Sequence, residues 1–188
     1  MTKPTPTISE PAATPSASEA LKILSDLAGK AQPITFRFLG GSFILRTDTP
    51  PSGLTAPRME VRLGYKDSPA NEAWGRADFR WTVPVDGGQG GATHAVVECA
   101  IEVGYKADEG VVLSPLQQSV FARVNAGYHS YPYAREFLSS AASRMGIPPV
   151  IASLTKISHF LAAAGYKPTP EASKPEPAKT VRSKARRK

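Results

Sequence analysis

Cysteine, histidine and long apolar runs are all scarce in this chain of 188 residues. Each scarcity excludes a class of structure or of functional site. The single cysteine, Cys99, excludes an intramolecular disulfide and fits a reducing compartment. No segment approaches the ~20 consecutive apolar residues that a helix needs to span a bilayer. The N-terminus lacks the basic start and apolar block of a signal peptide. We therefore expect a cytoplasmic protein with no membrane partner.

Residues that could build a catalytic or metal site are also sparse. His94, His129 and His159 lie on different predicted elements, and none has the spacing to other ligands that a metal site requires. We expect each histidine to face solvent or to be a hydrogen-bonded helix residue. Glu98 and Glu102 share one face of a predicted strand, but four residues along a strand span about 13 Å. That separation is too large for a glycosidase pair.

Two further features have plain explanations. The glycine-rich segment 87–91 lacks the Lys-Ser/Thr pair and the following helix that a phosphate-binding loop needs, so we interpret it as a hairpin loop. Cys99 is in phase with the apolar face of its strand, which predicts a small buried residue rather than a nucleophile. The sequence therefore predicts no catalytic residue, no metal and no cofactor, and it favours a protein that is not an enzyme.

Basic charge is concentrated at the C-terminus. Of the formal net charge of +7, residues 167–188 contribute +6, from eight Lys or Arg and two Glu, which leaves +1 for residues 1–166. Residues 1–18 are almost all Thr, Pro, Ala and Ser, and residues 167–188 are rich in Pro, Ala, Ser, Lys and Arg. Such segments have too little apolar surface to offset the entropy cost of ordering. We predict disordered tails at 1–18 and 167–188 around one folded domain at 19–166.

Four segments alternate apolar and polar residues, as strands do in an antiparallel sheet with one buried and one polar face. They cover about 34–46, 59–66, 77–83 and 95–106. The first is interrupted by Gly40-Gly41, which indicates a bulge or a sharp bend. A short helix with Ser18 as its N-cap precedes these strands.

Helical periodicity returns after the strands. Pro115 suits the first position of a helix, and Gly127 is interpreted as a break. A second helix then restarts near Tyr131 and covers 132–145, and a last helix ends at Gly165. One helix, four strands and further helices predict an α+β domain.

The segment Tyr131-Pro132-Tyr133-Ala134-Arg135-Glu136-Phe137, followed by Arg144 and Pro148, resembles the SecB family of export chaperones. In that family a Pro-Tyr-Ala-Arg-Glu block opens a long helix, and an Arg and a Pro follow at this spacing. The strand at 95–106, with Gly104, is similar to the family's last strand, and the resemblance covers about 34–165. Residues 26–32 are closer in style to divergent SecB-like proteins associated with toxin–antitoxin systems.

The resemblance implies a four-stranded antiparallel sheet with helices packed on one face, assembled as a dimer of dimers. By the family's pattern, oligomer contacts are expected at the helix 132–145 and the strand 95–105. It also implies an ATP-independent holdase that binds non-native polypeptides in apolar grooves, for protein export or for a dedicated client such as an antitoxin. The motif residues are expected to be structural, with an ion pair or helix-end hydrogen bonds at two of them, Arg135 and Glu136: Pro132, Tyr133, Arg135, Glu136, Arg144 and Pro148.

A holdase needs exposed apolar surface, and aromatic side chains supply it at modest entropic cost. Tyr128 and Tyr131 flank the predicted helix break and are expected to be accessible. The other candidates have a plain alternative as core residues. The full set of expected peptide-binding residues is Tyr128, Tyr131, Tyr133, Phe137, Phe160 and Leu161.

The charge departs from that of the export chaperones, which are markedly acidic and meet the translocase motor protein through acidic surface. Residues 1–166 are close to neutral, which puts a partnership with that motor in doubt. One alternative is a nucleic-acid-associated adaptor acting through the tail segment Lys179–Lys188, because a basic tail binds phosphates without sequence preference. A small-molecule enzyme on an α+β scaffold is the other, but the sequence offers it no acid–base or metal cluster.

Overall fold

The computed structural model describes residues 14–47, 57–85, 93–147 and 155–166. Most of both expected tails, the loop at 87–91 and Pro148 lie outside these ranges. The described chain forms one helix, four strands and two further helices, which confirms the α+β class. The helices are α1 (Ala17–Leu27), α2 (Pro115–Arg144) and α3 (Ile157–Ala163), and the strands are β1 (Ala31–Leu45), β2 (Arg58–Lys66), β3 (Glu72–Pro84) and β4 (Thr93–Ala107).

The four strands form one antiparallel sheet in the order β1-β4-β3-β2. Strand β1 therefore lies at an edge, although it is the first strand in the chain. The expected irregularity at Gly40-Gly41 is confirmed, because the register between β1 and β4 shifts between Phe38 and Gly40. Strand β4 is paired along both edges, so a second subunit cannot extend the sheet from it. Contact through the expected segment 95–105 would have to use side chains.

The helices cover one face of the sheet, as expected. Helix α2 packs on β2, β3 and β4, and α1 and α3 pack on α2. The approach is closest at Gly75 of β3, where a Cβ atom would collide with the carbonyl oxygen of Ala122. Because α2 lies mainly over the other three strands, the apolar side chains of β1 remain largely uncovered.

The opposite face of the sheet is polar and carries cross-strand ion pairs. Glu102 pairs with both Arg37 and Lys66, at 3.4 and 2.9 Å. Arg80 pairs with Glu98 on the neighbouring strand at 3.2 Å. The two glutamates that share a strand face are therefore each neutralised by a basic neighbour, in agreement with a polar sheet face.

Two predicted helix boundaries are wrong. Helix α1 begins at Ala17, with Ser16 rather than Ser18 as its N-cap, because Ser16 and Glu19 form a reciprocal capping box. The predicted break at Gly127 does not occur, and α2 runs without interruption from Pro115 to Arg144. Gly127 marks a close approach instead, since a Cβ there would press on the rings and methyls of Phe160 and Leu63.

The second half of α2 also contains Pro132 in its interior. Proline has no N–H to donate to the carbonyl of residue 128, and its ring crowds the preceding turn. The hydroxyl of Ser130 donates to the carbonyl of Ala126 in the same stretch. Packing of both helix halves against the sheet and α3 keeps the helix continuous. Among the described helices, none is long and apolar enough to cross a bilayer.

Candidate functional site

A groove of about 410 Å³ opens between β1 and the second half of α2. We call it the β1–α2 groove. Strand β1 contributes Pro33 and Phe36, and Thr155 contributes from the segment before α3. The helix contributes six lining residues: Tyr128, His129, Tyr131, Pro132, Tyr133 and Arg135.

The pairing of β1 with β4 decides which side chains of β1 face the groove. Phe36 lies opposite Val103 and Phe38 opposite Ile101, and both partners are buried beneath the helices. Directly opposed residues point to the same face of a sheet, so Phe36 and Phe38 point to the helix side. They are nevertheless 42% and 53% exposed, because β1 is an edge strand that the helix layer does not cover.

Helical spacing supplies the other wall of the groove. His129, Tyr133 and Phe137 follow one another at four-residue intervals, which places them on one face of α2. The Tyr133 ring lies 5.1 Å from that of Phe36, and the Phe137 ring lies 5.3 Å from that of Phe38. The helix and the edge strand thus meet through two aromatic pairs that remain partly open to solvent.

The six expected peptide-binding residues divide into exposed and buried sets. Tyr128 and Tyr133 are 47% and 57% exposed, and Phe137 is half-buried over Gly41. The expectation that Tyr131 is accessible is wrong, because only 6% of it is exposed. Its ring lies 6.0 Å from those of Phe79 and Phe160, so it forms the inner wall of the groove.

Phe160 and Leu161 are buried in the core and are not accessible in this structure. Phe160 packs against Gly127 and against the rings of Tyr128 and Tyr131. Helix α3 therefore supports the groove from behind. Phe160 and Leu161 thus follow the alternative interpretation, in which they are core residues.

The polar groups of the groove are few. The Nδ1 atom of His129 is 3.3 Å from the hydroxyl of Tyr105, and burial lowers the pKa of His129 below its ordinary value of 6.5. The guanidinium carbon of Arg135 lies 6.0 Å from the centre of the Tyr131 ring. No carboxylate lines the described part of the groove.

The motif residues take positions different from those expected for a structural ion pair. Neither Arg135 nor Glu136 forms a salt bridge with any described residue, and both lie well inside α2 rather than at its end. Glu136 is exposed, and Arg144 is exposed in the last turn of the helix. Pro132 and Tyr133 line the groove.

Two groups outside the groove that are capable of chemistry, Cys99 and His94, are buried. Cys99 is buried, and burial raises the pKa of its thiol to about 12. His94 is also buried, against the expectation of a solvent-facing or hydrogen-bonded helix residue, and its Nδ1 has no hydrogen-bond partner among the described residues. No group of three or more metal-ligating side chains comes together within the described ranges.

The contribution of β1 to this site was not predicted from the sequence. Phe36 and Phe38 fit the alternation of a strand, but alternation does not show whether a strand lies inside a sheet or at its edge. The sequence feature that could have indicated an exposed strand is the large number of big apolar residues on both sides of Gly40-Gly41.

Comparison with known proteins bears on the fold. No protein-family model and no curated protein matches the sequence. The solved structure of the Mycobacterium tuberculosis Rv1957 SecB-like chaperone, in complex with a ChAD peptide from the Rv1956 HigA1 antitoxin, matches with a TM-score of 0.60 at 18% identity. The match covers 72% of this chain and 97% of that one.

The chain has the SecB-like fold. The resemblance carried by the Pro-Tyr-Ala-Arg-Glu block is therefore confirmed at the level of structure, although 18% identity conveys the fold alone. A protein of unknown function from Streptococcus agalactiae also matches, with a TM-score of 0.41 at 10% identity over 66% of this chain and 97% of its own.

Proposed function

We propose that this SecB-like protein is a holdase that binds non-native polypeptide segments in the β1–α2 groove without ATP. The observation that carries the proposal is an exposed aromatic surface with half-buried Phe137 beside it; its exposed members are Phe36, Phe38, Tyr128 and Tyr133. Contiguous exposed apolar surface on a soluble protein marks an interaction site. An unfolded chain offers the complementary apolar side chains, and burial alone binds them with little sequence specificity.

A dedicated client, such as an antitoxin, is better supported than a role in export. The solved protein of the same fold was captured with an antitoxin peptide. The outer sheet face also mixes both signs of charge, as in the pairs Arg76–Asp78 and Arg80–Glu98, and so provides no acidic surface for an export motor. The alternative is that the same holdase activity serves protein export, with unfolded precursors as the clients.

We further propose that the protein works in the cytoplasm as a homo-oligomer that is assembled as a dimer of dimers. Support comes from β1, which holds seven of the twelve large apolar residues that are exposed among the described ones. A single chain would leave this edge strand open to uncontrolled pairing. Association of subunits would bury part of the strand and leave the groove open.

The first experiment measures size and activity together. Light scattering gives the mass of the purified chain, and a slow-folding client is then refolded with stoichiometric amounts of it and no nucleotide. We expect an oligomer that retards refolding, because a holdase withdraws the unfolded client by mass action. Normal refolding of several clients, together with a mass of 20.0 kDa, would contradict the proposal.

Truncation after Tyr166 separates this function from the nucleic-acid alternative. The basic tail lies outside the described residues, whereas every groove residue precedes it. Client retardation is expected to survive truncation. Salt-sensitive DNA binding that depends on the tail, with no effect on clients, would favour the adaptor instead.

A further inference from the structure

The β1–α2 groove contains one charged side chain, Arg135, that no described carboxylate neutralises. Arg135 is the only Lys or Arg among the lining residues, and no Asp or Glu accompanies it. The four ion pairs found among the described residues all lie on the outer face of the sheet, away from the helices. The one cation of the apolar groove therefore has no carboxylate partner in the described structure.

The sequence of α2 explains why no partner is within reach. Side chains three and four residues apart are neighbours on a helix. The residues at those positions around Arg135 are Tyr131, Pro132, Leu138 and Ser139, and none is acidic. Glu136 follows directly in sequence, but consecutive residues point in directions about 100° apart on a helix.

The Tyr131 ring holds the guanidinium group against the groove. The 6.0 Å separation is within the range of a cation–π contact. Tyr131 itself packs against Phe79 and Phe160, so the arginine lies over a ring that the core holds in place. Such a contact satisfies the flat face of the guanidinium and leaves its N–H edge available. A carboxylate can accept two parallel hydrogen bonds from that edge.

We propose that the groove prefers client segments in which an acidic residue lies close to an aromatic or large apolar anchor. The anchor occupies the space beside Phe36, Tyr128 and Tyr133, and the client's Asp or Glu pairs with Arg135. A ligand that covers the groove removes water from Arg135, and an unpaired charge is costly to desolvate. Clients that bring a carboxylate offset that cost, whereas clients that bring a lysine add repulsion. This inference rests on the proposed client-binding function.

Three fluorescent peptides of one extended sequence test the preference. Each contains a Trp anchor, and they differ at a single position two residues away, which is Glu, Gln or Lys. Fluorescence anisotropy with the full-length protein is expected to show the Glu peptide binding about fivefold to tenfold tighter than the Gln peptide, and the Lys peptide weakest. The advantage of Glu is expected to shrink as salt is raised.

Substitutions at Arg135 locate the effect. In Arg135→Met the Glu and Gln peptides are expected to bind equally, and in Arg135→Glu the order is expected to reverse in favour of Lys. Arg135 is partly exposed, so both variants should retain the wild-type circular dichroism spectrum. The matched control is Arg62→Met, at an exposed arginine of β2 on the outer sheet face, which is expected to keep the preference for Glu.

The outcomes distinguish this inference from the function beneath it. If wild type binds the Glu and Gln peptides with equal affinity, or if Arg135→Met still prefers the Glu peptide, then Arg135 does not select acidic clients. The groove would still bind peptides in either case. If no peptide binds wild type while a control shows that it is folded, then the client-binding function itself fails.

Discussion

Tyr131 and Tyr133 are two residues apart on α2, yet their side chains have opposite roles. The ring of Tyr133 is open to solvent beside Phe36, whereas Tyr131 turns inward to Phe79 and Phe160. Two residues correspond to about 200° around a helix, so adjacent motif positions necessarily face different surroundings. The motif identifies the neighbourhood of the groove, but only the rotation of α2 on the sheet decides which ring a client can touch.

Substituting each tyrosine by alanine should separate binding from stability. Tyr133→Ala removes exposed surface and is expected to weaken peptide binding several-fold with an unchanged melting temperature. Tyr131→Ala leaves a cavity beside two core rings and is expected to cost about 3 kcal/mol of unfolding free energy. Anisotropy and urea denaturation measure the two effects. Loss of stability in Tyr133→Ala, or none in Tyr131→Ala, would contradict the assignment.

His129 should make both folding and client binding sensitive to acid. Burial lowers its pKa below 6.5, so the folded state prefers the neutral ring. In the window between the lowered pKa and 6.5 the unfolded chain binds more protons, and stability therefore falls as the pH drops through that window. A client that covers the groove removes more water from the ring, so client affinity should fall in the same direction.

The test compares wild type with His129→Gln between about pH 7.5 and about pH 5. The variant retains a polar group near Tyr105 but does not titrate, so its stability and its client affinity should fall less on acidification. Urea denaturation and peptide anisotropy at each pH provide the comparison. Parallel pH profiles for the two proteins would show that His129 is not the group responsible.

At the scale of elements, the strands were easier to predict than the helices. The two-residue alternation depends on burial of one face, and it was enough to predict the strands. The irregularity in β1 was predicted from a different signal, the paired glycines Gly40-Gly41. Gly127 and Pro132 carry strong local signals for a helix end, but tertiary packing overrides both. A glycine that admits a neighbouring side chain looks, in sequence, like a glycine that ends a helix.

The order of strands in the sheet could not be predicted from alternation. Strand β1 pairs with β4 across more than fifty residues of chain, and this pairing places Phe36 and Phe38 at an uncovered edge. The aromatic residues of α2 were therefore found as site candidates, whereas those of β1 were not. The groove exists only where the edge strand and the helix meet.

The contact between α2 and β3 should depend on Gly75. A Cβ at this position would collide with the backbone of Ala122, and backbone cannot move aside as a flexible side chain can. Gly75→Ala is expected to cost about 2 kcal/mol of unfolding free energy or to prevent folding. The matched control is Gly64→Ala in the neighbouring strand, where a Cβ meets no atom within 4 Å. Equal stability of the two variants would contradict close packing at Gly75.

At the scale of the whole molecule, β1 carries more exposed apolar surface than one groove requires. Phe36 lines the groove and Phe38 packs beside Phe137 next to it. Phe43, Ile44 and Leu45 at the far end of the strand are also about half exposed. Phe43 and Leu45 lie opposite Val97 and Ala95 on the helix side, and Ile44 lies opposite Val96 on the other side. An edge strand that is apolar on both faces is suited to pairing with another chain, so the proposed oligomer is expected to use this end of β1.

The two ends of β1 should therefore respond differently to substitution. Phe43→Glu places a charge in the proposed subunit contact and is expected to lower the mass measured by light scattering towards 20.0 kDa. Phe36→Ala, at the groove end, is expected to weaken peptide binding and leave the mass unchanged. Leu21→Glu in α1 is the matched control, because Leu21 is a similarly exposed apolar residue outside β1. If the oligomer persists in Phe43→Glu but dissociates in Leu21→Glu, the contact between subunits lies at α1 and not at β1.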